Sequence, residues 1–116
     1  MPRRPLIKSI LTTAAISLIA MSAPSFASGA DTSEIRFENH RFTPQSLTVS
    51  AGQPLTIQVI NASNETIEFE SFKLNREKAI SPGESIAVGL PALSAGNYDF
   101  YDDFHQDVPQ GSIVAK

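Results

Sequence analysis

Short segments in which apolar and polar residues alternate constrain the fold of this chain more than any other feature of its sequence. Leu55, Ile57 and Val59 alternate with Thr56 and Gln58, as the two faces of a half-buried β-strand require. The same period recurs at residues 35–37, 47–49, 67–69, 86–90 and 98–100, and a last apolar pair lies at 113–114. This pattern predicts a protein built from β-strands.

Turn-forming residues separate these segments, at positions 51–52, 61–64, 81–83, 91 and 95–97. No long segment after residue 27 has a helical period, and residues 74–80 have room for one turn of helix because Pro82 follows. About seven short strands at intervals of roughly ten residues predict an all-β fold, a small antiparallel β-sandwich or barrel.

The first 27 residues have the organisation of a secretory signal peptide. Arg3, Arg4 and Lys8 precede an apolar run at residues 9–23, and a small-x-small cleavage pattern ends at Ala27. An uncleaved membrane anchor is the alternative, but the apolar run is short for a membrane span. We therefore expect residues 1–27 to be removed and residues 28–116 to form one exported domain.

Cysteine is absent from all 116 residues, which excludes a disulfide, a thiolate metal site and a thiol nucleophile.

The formal charge is −3, and removal of the three basic residues of the signal peptide leaves −6. This charge argues against nucleic acid as a partner. It suits a surface that attracts cations, although solubility alone also explains it. No nucleophile elbow or phosphate-binding glycine loop is present, so an enzyme is not favoured.

His105 is the first candidate for metal chemistry, because three carboxylates, Asp102, Asp103 and Asp107, flank it. Imidazole and carboxylate together favour Cu(II) or iron over Cu(I). Of the two adjacent acids we prefer Asp103, although a turn residue that accepts backbone hydrogen bonds is an alternative role for it. The alternative for His105 is a surface histidine with one hydrogen bond.

Glu68 and Glu70 are two residues apart, so they lie on one face of a predicted strand. Neighbouring carboxylates repel each other unless a cation lies between them or water solvates both. Glu77 follows as a further possible ligand, or as a partner of Arg76 or Lys78.

His40 is the only other histidine of the chain. A structural role beside Arg41 is the more common outcome for such a residue. A ligand role would require strand pairing to bring it close to the loop that carries His105.

Two segments resemble the cupredoxins. "FENHRFTPQSLTVSAGQPLTIQVIN" is similar to their opening strands, and "SAGNYDFYDDFHQDVPQGSIV" is similar to their closing strand–loop–strand unit. More narrowly, "EFESFKLNREKAISPG" followed by "AGNYDFYDDFH" resembles the EfeO-type proteins of bacterial high-affinity iron uptake. The resemblance implies a cupredoxin-like Greek-key β-sandwich, a periplasmic location, and binding of a copper or iron ion.

The sequence departs from the cupredoxins at the metal ligands. Blue-copper proteins use two histidines, a cysteine and a weak axial ligand, usually methionine. Asp102 stands in place of the cysteine, Ile67-Glu68 in place of the first histidine, and Gln110 near the methionine. Only His105 remains of these ligands, so we predict that the protein is not a blue-copper electron carrier.

These observations together predict a metal-binding accessory protein that binds, hands over or helps to oxidise iron. The partner that the resemblance implies is an iron-uptake membrane permease or another periplasmic component. The candidate metal ligands are His105, Asp103, Glu68, Glu70, Glu77 and His40. The alternative is a metal-free β-sandwich that docks on such a partner through its acidic face.

Overall fold

The structure is a computed structural model that describes residues 2–3, 5 and 31–116. The predicted signal peptide lies outside the described residues, apart from positions 2–3 and 5, and stays a prediction. Nine strands follow one another: β1 (Asp31–Glu38), β2 (Arg41–Thr43), β3 (Ser46–Val49), β4 (Leu55–Asn61), β5 (Ile67–Ser71), β6 (Arg76–Ile80), β7 (Ser85–Leu90), β8 (Gly96–Asp102) and β9 (Gly111–Ala115). Among the described residues, no helix is long and apolar enough to cross a membrane.

The strands form two sheets, and the predicted all-β sandwich is confirmed. One sheet has the order β2-β1-β4-β7, and the other has the order β3-β9-β8-β5-β6. Two neighbouring pairs are parallel, β1 with β4 and β3 with β9, whereas the sequence pattern predicts an antiparallel arrangement. Parallel neighbours require a crossover connection, and the chain supplies one by passing through β2 and β3 between β1 and β4.

The core lies between the two sheets and follows the predicted alternation. In β4, Leu55, Ile57 and Val59 are buried, while the intervening residues are partly exposed. Phenylalanines from both sheets meet at the centre, where the rings of Phe42 and Phe100 have their centroids 5.1 Å apart. Burial of this apolar surface is the main source of stability for a small domain without disulfides.

In the segment at 74–80, where the sequence allows one turn of helix, residues 76–80 instead form a strand, and residues 74–75 belong to the turn before it. β6 pairs with β5, with Ile80 opposite Ile67 and Arg76 opposite Ser71. A turn precedes β6, in which the backbone N–H of Asn75 donates to the Phe72 carbonyl. Because β6 is an edge strand, most of its residues are exposed, and apolar alternation is therefore missing from its sequence.

The pairing of β5 with its two neighbours places polar residues side by side across the second sheet. Tyr101 of β8 is opposite Glu70 of β5, and Glu70 is in turn opposite Glu77 of β6. Residues paired in this way project from the same face of a sheet. This outer face, away from the core, therefore carries a row of three polar side chains.

Candidate metal centres

Asp102 is the last residue of β8 and is completely buried. It alternates with Phe100, so its side chain points towards the core. Its Oδ1 accepts hydrogen bonds from the backbone N–H groups of Glu68 (2.9 Å) and Phe104 (3.1 Å). Its Oδ2 lies 2.7 Å from Nδ1 of His105. The carboxylate therefore has a partner on each oxygen, as a buried charge requires.

His105 lies in the turn after β8, and its two ring nitrogens face different carboxylates. Nδ1 donates to Asp102, because an ionised carboxylate only accepts hydrogen bonds. Nε2 lies 3.3 Å from Oε2 of Glu65, and the side chain is 24% exposed. The hydrogen bond to Asp102 and the nearby negative charges raise the pKa of His105 above its ordinary value, against the opposing effect of burial.

The residues around Asp102 do not fit a blue-copper donor set. Such a site needs a thiolate, and the chain has no cysteine. Asp102, which the sequence resemblance aligns with the cysteine, is an oxygen donor that is already hydrogen-bonded to the His105 ring. Ile67, which the sequence resemblance aligns with the first histidine, is completely buried in the core and has no donor atom in its side chain. The residues around Asp102 therefore offer oxygen and imidazole donors but no thiolate.

Three other carboxylates meet on the outer face of the second sheet. Glu68, Glu70 and Asp103 each place one oxygen within 4.8 Å of the others. The two glutamates come from alternate positions of β5, and Asp103 comes from the turn after β8. The backbone N–H of Asp103 donates to the Glu68 carbonyl (3.0 Å), which fixes the turn against the strand. We call these three residues the carboxylate cluster.

Glu68 is the most enclosed member of the carboxylate cluster, with 9% of its surface exposed. Within residues 31–116, no N–H group donates to its carboxylate. Burial raises the pKa of Glu68 above 4.5, and a hydrogen bond with Glu77 and the charges of Glu77, Asp103 and Glu70 raise it further. Among the described residues, no salt bridge joins a lysine, arginine or histidine to Glu68, Glu70 or Asp103.

Tyr101 borders the carboxylate cluster. Burial raises the pKa of its phenol above 10.0, and the charge of Glu70 and a hydrogen bond with Glu70 add to the effect. The phenol therefore stays protonated and supplies a hydrogen-bond donor at the edge of the cluster.

His40 lies in the two-residue turn between β1 and β2. Asn39 and His40 both have positive φ, 53° and 58°, as the turn of a tight hairpin requires. Its Nε2 is 2.8 Å from Oδ2 of Asp107, and its ring centroid is 6.1 Å from that of His105. The hydrogen bond to His40 lowers the pKa of Asp107.

The candidates predicted from the sequence thus form two groups rather than one. Glu68, Glu70 and Asp103 come together with Glu77 beside them, whereas His105 and His40 lie next to each other. The sequence pattern does not identify Glu65 or Tyr101 as members of either group. It also misses the structural role of Asp102, although the alternation with Phe100 places this acid on the core face.

Comparison with known proteins agrees with the fold. A family model described as cupredoxin-like domain matches residues 11–115. The uncharacterized protein RP394 of Rickettsia prowazekii is 38% identical over 81 residues, which are 70% of this chain and 65% of that protein. The match therefore spans slightly less than two thirds of the length of this relative.

Solved structures show the same architecture at low sequence identity. The blue copper protein auracyanin A of Chloroflexus aurantiacus superposes with a TM-score of 0.63 and 22% identity, over 76% of this chain and 100% of that one. The metal-binding domain of the Cu(I)-exporting ATPase CopA of Streptococcus pneumoniae superposes with a TM-score of 0.69 and 17% identity, over 79% of this chain and 91% of that one. Amicyanin of Paracoccus versutus superposes with a TM-score of 0.59 and 18% identity, over 78% of this chain and 86% of that one. With its β-sandwich and a family match over most of its length, the chain belongs to the cupredoxin-like domain family.

Proposed function

We propose that this domain binds a metal cation at the carboxylate cluster, through Glu68, Glu70 and Asp103, with Glu77 as a further oxygen donor. The observation that carries the proposal is the convergence of three carboxylate oxygens within 4.8 Å around one glutamate that is 9% exposed. Negative charges held this close raise the free energy of the folded state, and a bound cation removes that cost. Burial is the main cause of the raised pKa of Glu68, and the hydrogen bond with Glu77 and the charges of Glu77, Asp103 and Glu70 add to it.

The donor set selects the kind of ion. Carboxylate oxygens are hard, anionic ligands, which favour Fe(III) and Cu(II) over the soft ion Cu(I). The copper proteins among the structural neighbours support copper as a candidate, although those neighbours share less than a quarter of their residues with this chain. Iron follows from the resemblance of residues 68–83 and 95–105 to the EfeO-type proteins. We therefore expect the bound ion to be Fe(III) or Cu(II).

The cellular role that we propose is that of an accessory protein in iron uptake. The domain would act in the periplasm, where it binds iron, hands it to a membrane permease or helps to oxidise it. The EfeO-type resemblance supports this role, and the predicted signal peptide supports the location. A site of anionic oxygens stabilises the higher oxidation state of iron, which is the chemical requirement for assisting oxidation.

A docking module is the second candidate function, and two exposed aromatic side chains favour it. Phe72 is 79% exposed and Phe104 is 52% exposed. A cavity of about 420 Å³ lies between Phe72 and Tyr101 and extends to Gln110. An exposed apolar surface with a polar rim suits a protein partner, here a permease or another periplasmic component.

Thermal denaturation with and without metal separates the two functions. We expect Fe(III), supplied as its citrate complex, or Cu(II) to raise the melting temperature, because a ligand that binds only the folded state stabilises it. Glu70→Gln should abolish this rise. Asp99→Asn is the matched control, because Asp99 lies two residues before Tyr101 in β8 but outside the cluster. If neither metal stabilises the unaltered protein, the docking function replaces metal binding.

A further inference from the structure

We propose that the carboxylate cluster, together with Glu77, selects a trivalent cation, of the class of Fe(III), over divalent cations such as Ca(II) and Zn(II). This selectivity rests on the proposed function of the cluster and names the charge of the ion that the site binds. Three properties of the outer face of the second sheet support it: the number of its carboxylates, the burial of Glu68 and the kind of donor atom.

Four carboxylates meet on this face from neighbouring strands. Glu68 and Glu70 project from β5, Asp103 follows β8, and Glu77 of β6 is opposite Glu70. Within residues 31–116, no salt bridge joins any of the four to a lysine, arginine or histidine. When all four are ionised, a trivalent ion leaves one uncompensated negative charge, whereas a divalent ion leaves two. The trivalent ion therefore relieves more of the repulsion between these side chains.

The burial of Glu68 increases the influence of the charge of the ion. Only 9% of the surface of this residue is exposed, so little water screens its carboxylate. The attraction between an ion and a carboxylate is proportional to the charge of the ion and grows as the effective dielectric constant falls. A trivalent ion also loses more hydration energy, and a site offsets this loss only when charged ligands replace the water. The cluster supplies anionic oxygens for that purpose.

The donor atoms of the cluster disfavour the divalent ions of the late transition metals. Zn(II) and Cu(II) gain from imidazole or thiolate ligands. The cluster consists of glutamate and aspartate, and neither histidine of the chain belongs to it. Carboxylate oxygens are hard ligands, so the ions that gain most from them are hard and highly charged.

A sheet face is also poorly suited to Ca(II) and Mg(II). Ca(II) takes about six to eight oxygen ligands, which commonly include backbone carbonyls, and Mg(II) keeps most of its water. Carbonyls of a paired strand lie in the plane of the sheet, and here the Glu68 carbonyl accepts the N–H of Asp103 at 3.0 Å. The face therefore offers an ion side-chain carboxylates, and a trivalent ion compensates by its charge for the small number of ligands.

Tyr101 is a built-in reporter of an ion in the cluster. It is opposite Glu70 on the outer face, and the charges of Asp103 and Glu68 also act on it. The only other tyrosine, Tyr98, alternates with Phe100, packs against the core and donates from its hydroxyl to the Ser94 carbonyl at 2.8 Å. The chain has no tryptophan. Excitation energy can therefore pass to a luminescent ion in the cluster from one close tyrosine.

Tyrosine-sensitised luminescence of Tb(III), used as a trivalent probe, tests the proposal. We expect the unaltered protein to sensitise Tb(III) emission on excitation of tyrosine. Tyr101→Phe should lose most of this emission, and Tyr98→Phe should keep it. Ca(II) and Zn(II) should displace Tb(III) only at a roughly hundredfold excess or more. Displacement by an equimolar amount of either divalent ion would overturn the selectivity.

Glu77→Gln tests whether charge is the cause of the selectivity. The side chain is exposed and glutamine has the same size, so the fold should not change. The variant should weaken Tb(III) binding more than Ca(II) binding, because loss of one negative charge costs a trivalent ion more. Asp99→Asn, outside the cluster in the strand of Tyr101, is the matched control and should leave the ratio of the two affinities unchanged. Equal losses for both ions in Glu77→Gln would overturn the proposal.

A parallel measurement of melting temperature separates this selectivity from the proposed function. If Cu(II) raises the melting temperature in a manner that depends on Glu70 while Tb(III) does not bind, the cluster is a metal site and the selectivity is wrong. If neither ion binds, both the metal site and its selectivity are wrong.

Discussion

The buried carboxylate of Asp102 lies 2.7 Å from Nδ1 of His105, and its other oxygen accepts the N–H groups of Glu68 and Phe104. One side chain thereby joins the beginning of β5 to the turn that follows β8. This turn carries Asp103, and β5 carries Glu68, so the contact also sets the distance between two members of the carboxylate cluster.

Loss of the Asp102 carboxylate should destabilise the fold strongly. Asp102→Ala leaves two buried N–H groups and the His105 ring without their acceptor, and we expect a loss of about 3–5 kcal/mol in the free energy of unfolding. Urea denaturation measures it. Asp99→Ala, an exposed acid of the same strand, should change the free energy by less than about 0.5 kcal/mol. Equal effects of the two substitutions would contradict the structural role of Asp102.

Stability should fall as the pH rises through the pKa of His105. The folded protein raises this pKa above 6.5, so the protonated ring stabilises the fold fully below that value. The stabilisation is lost as the pH increases through the raised pKa and the ring loses its proton. Urea denaturation at a series of pH values should show this decline in the unaltered protein. His105→Gln should remove the decline in this pH range, and an unchanged profile would refute its assignment to His105.

Removal of one charge from the carboxylate cluster should stabilise the metal-free protein. Glu70 lies beside Glu68, Glu77 and Asp103, and the resulting repulsion opposes folding. We therefore expect Glu70→Gln to raise the melting temperature by a few degrees in the presence of a chelator. Glu84→Gln, in the turn before β7, serves as the control for a general change in net charge. A lower melting temperature for Glu70→Gln would mean that the hydrogen bond to Tyr101 outweighs the repulsion.

Gly111 should not tolerate a side chain. A Cβ atom at this buried position would overlap with the Phe100 ring and lie 2.9 Å from the Gln45 carbonyl oxygen. Gly111→Ala should therefore cost about 1–3 kcal/mol, as overpacking of a core does. Gly89→Ala is the matched control, because nothing lies within 4 Å of a Cβ at that position. Differential scanning calorimetry of both variants tests this, and equal melting temperatures would contradict it.

The β-sandwich could be predicted from the sequence because each strand buries one of its two faces. Leu55, Ile57 and Val59 show the period of two that such burial imposes. β6 and β2 lacked this signal, since the first is an exposed edge strand and the second has three residues. The parallel pairing of β1 with β4 depends on which sheet each strand joins, and local sequence carries no information on that choice.

The two groups of candidate ligands could be predicted only in part from the sequence. Glu68 and Glu70 share a strand face, and the spacing alone predicts their proximity. Their meeting with Asp103, and that of His105 with His40, depends on contacts between distant turns. Such contacts form only when the sheets pack. The sequence therefore identifies the candidate ligands but does not show which of them lie together.

The three hydrogen bonds of Asp102 also have a consequence for how this sequence can diverge. A change to cysteine at this position would remove at once the acceptor of the His105 ring and of the N–H groups of Glu68 and Phe104. A change of Ile67 alone would place a polar group in a core position that has no metal to bind it. Each single substitution is therefore costly to the folded state. The loss of stability at the first step therefore opposes the evolution of a thiolate metal site from the present Asp102–His105 arrangement.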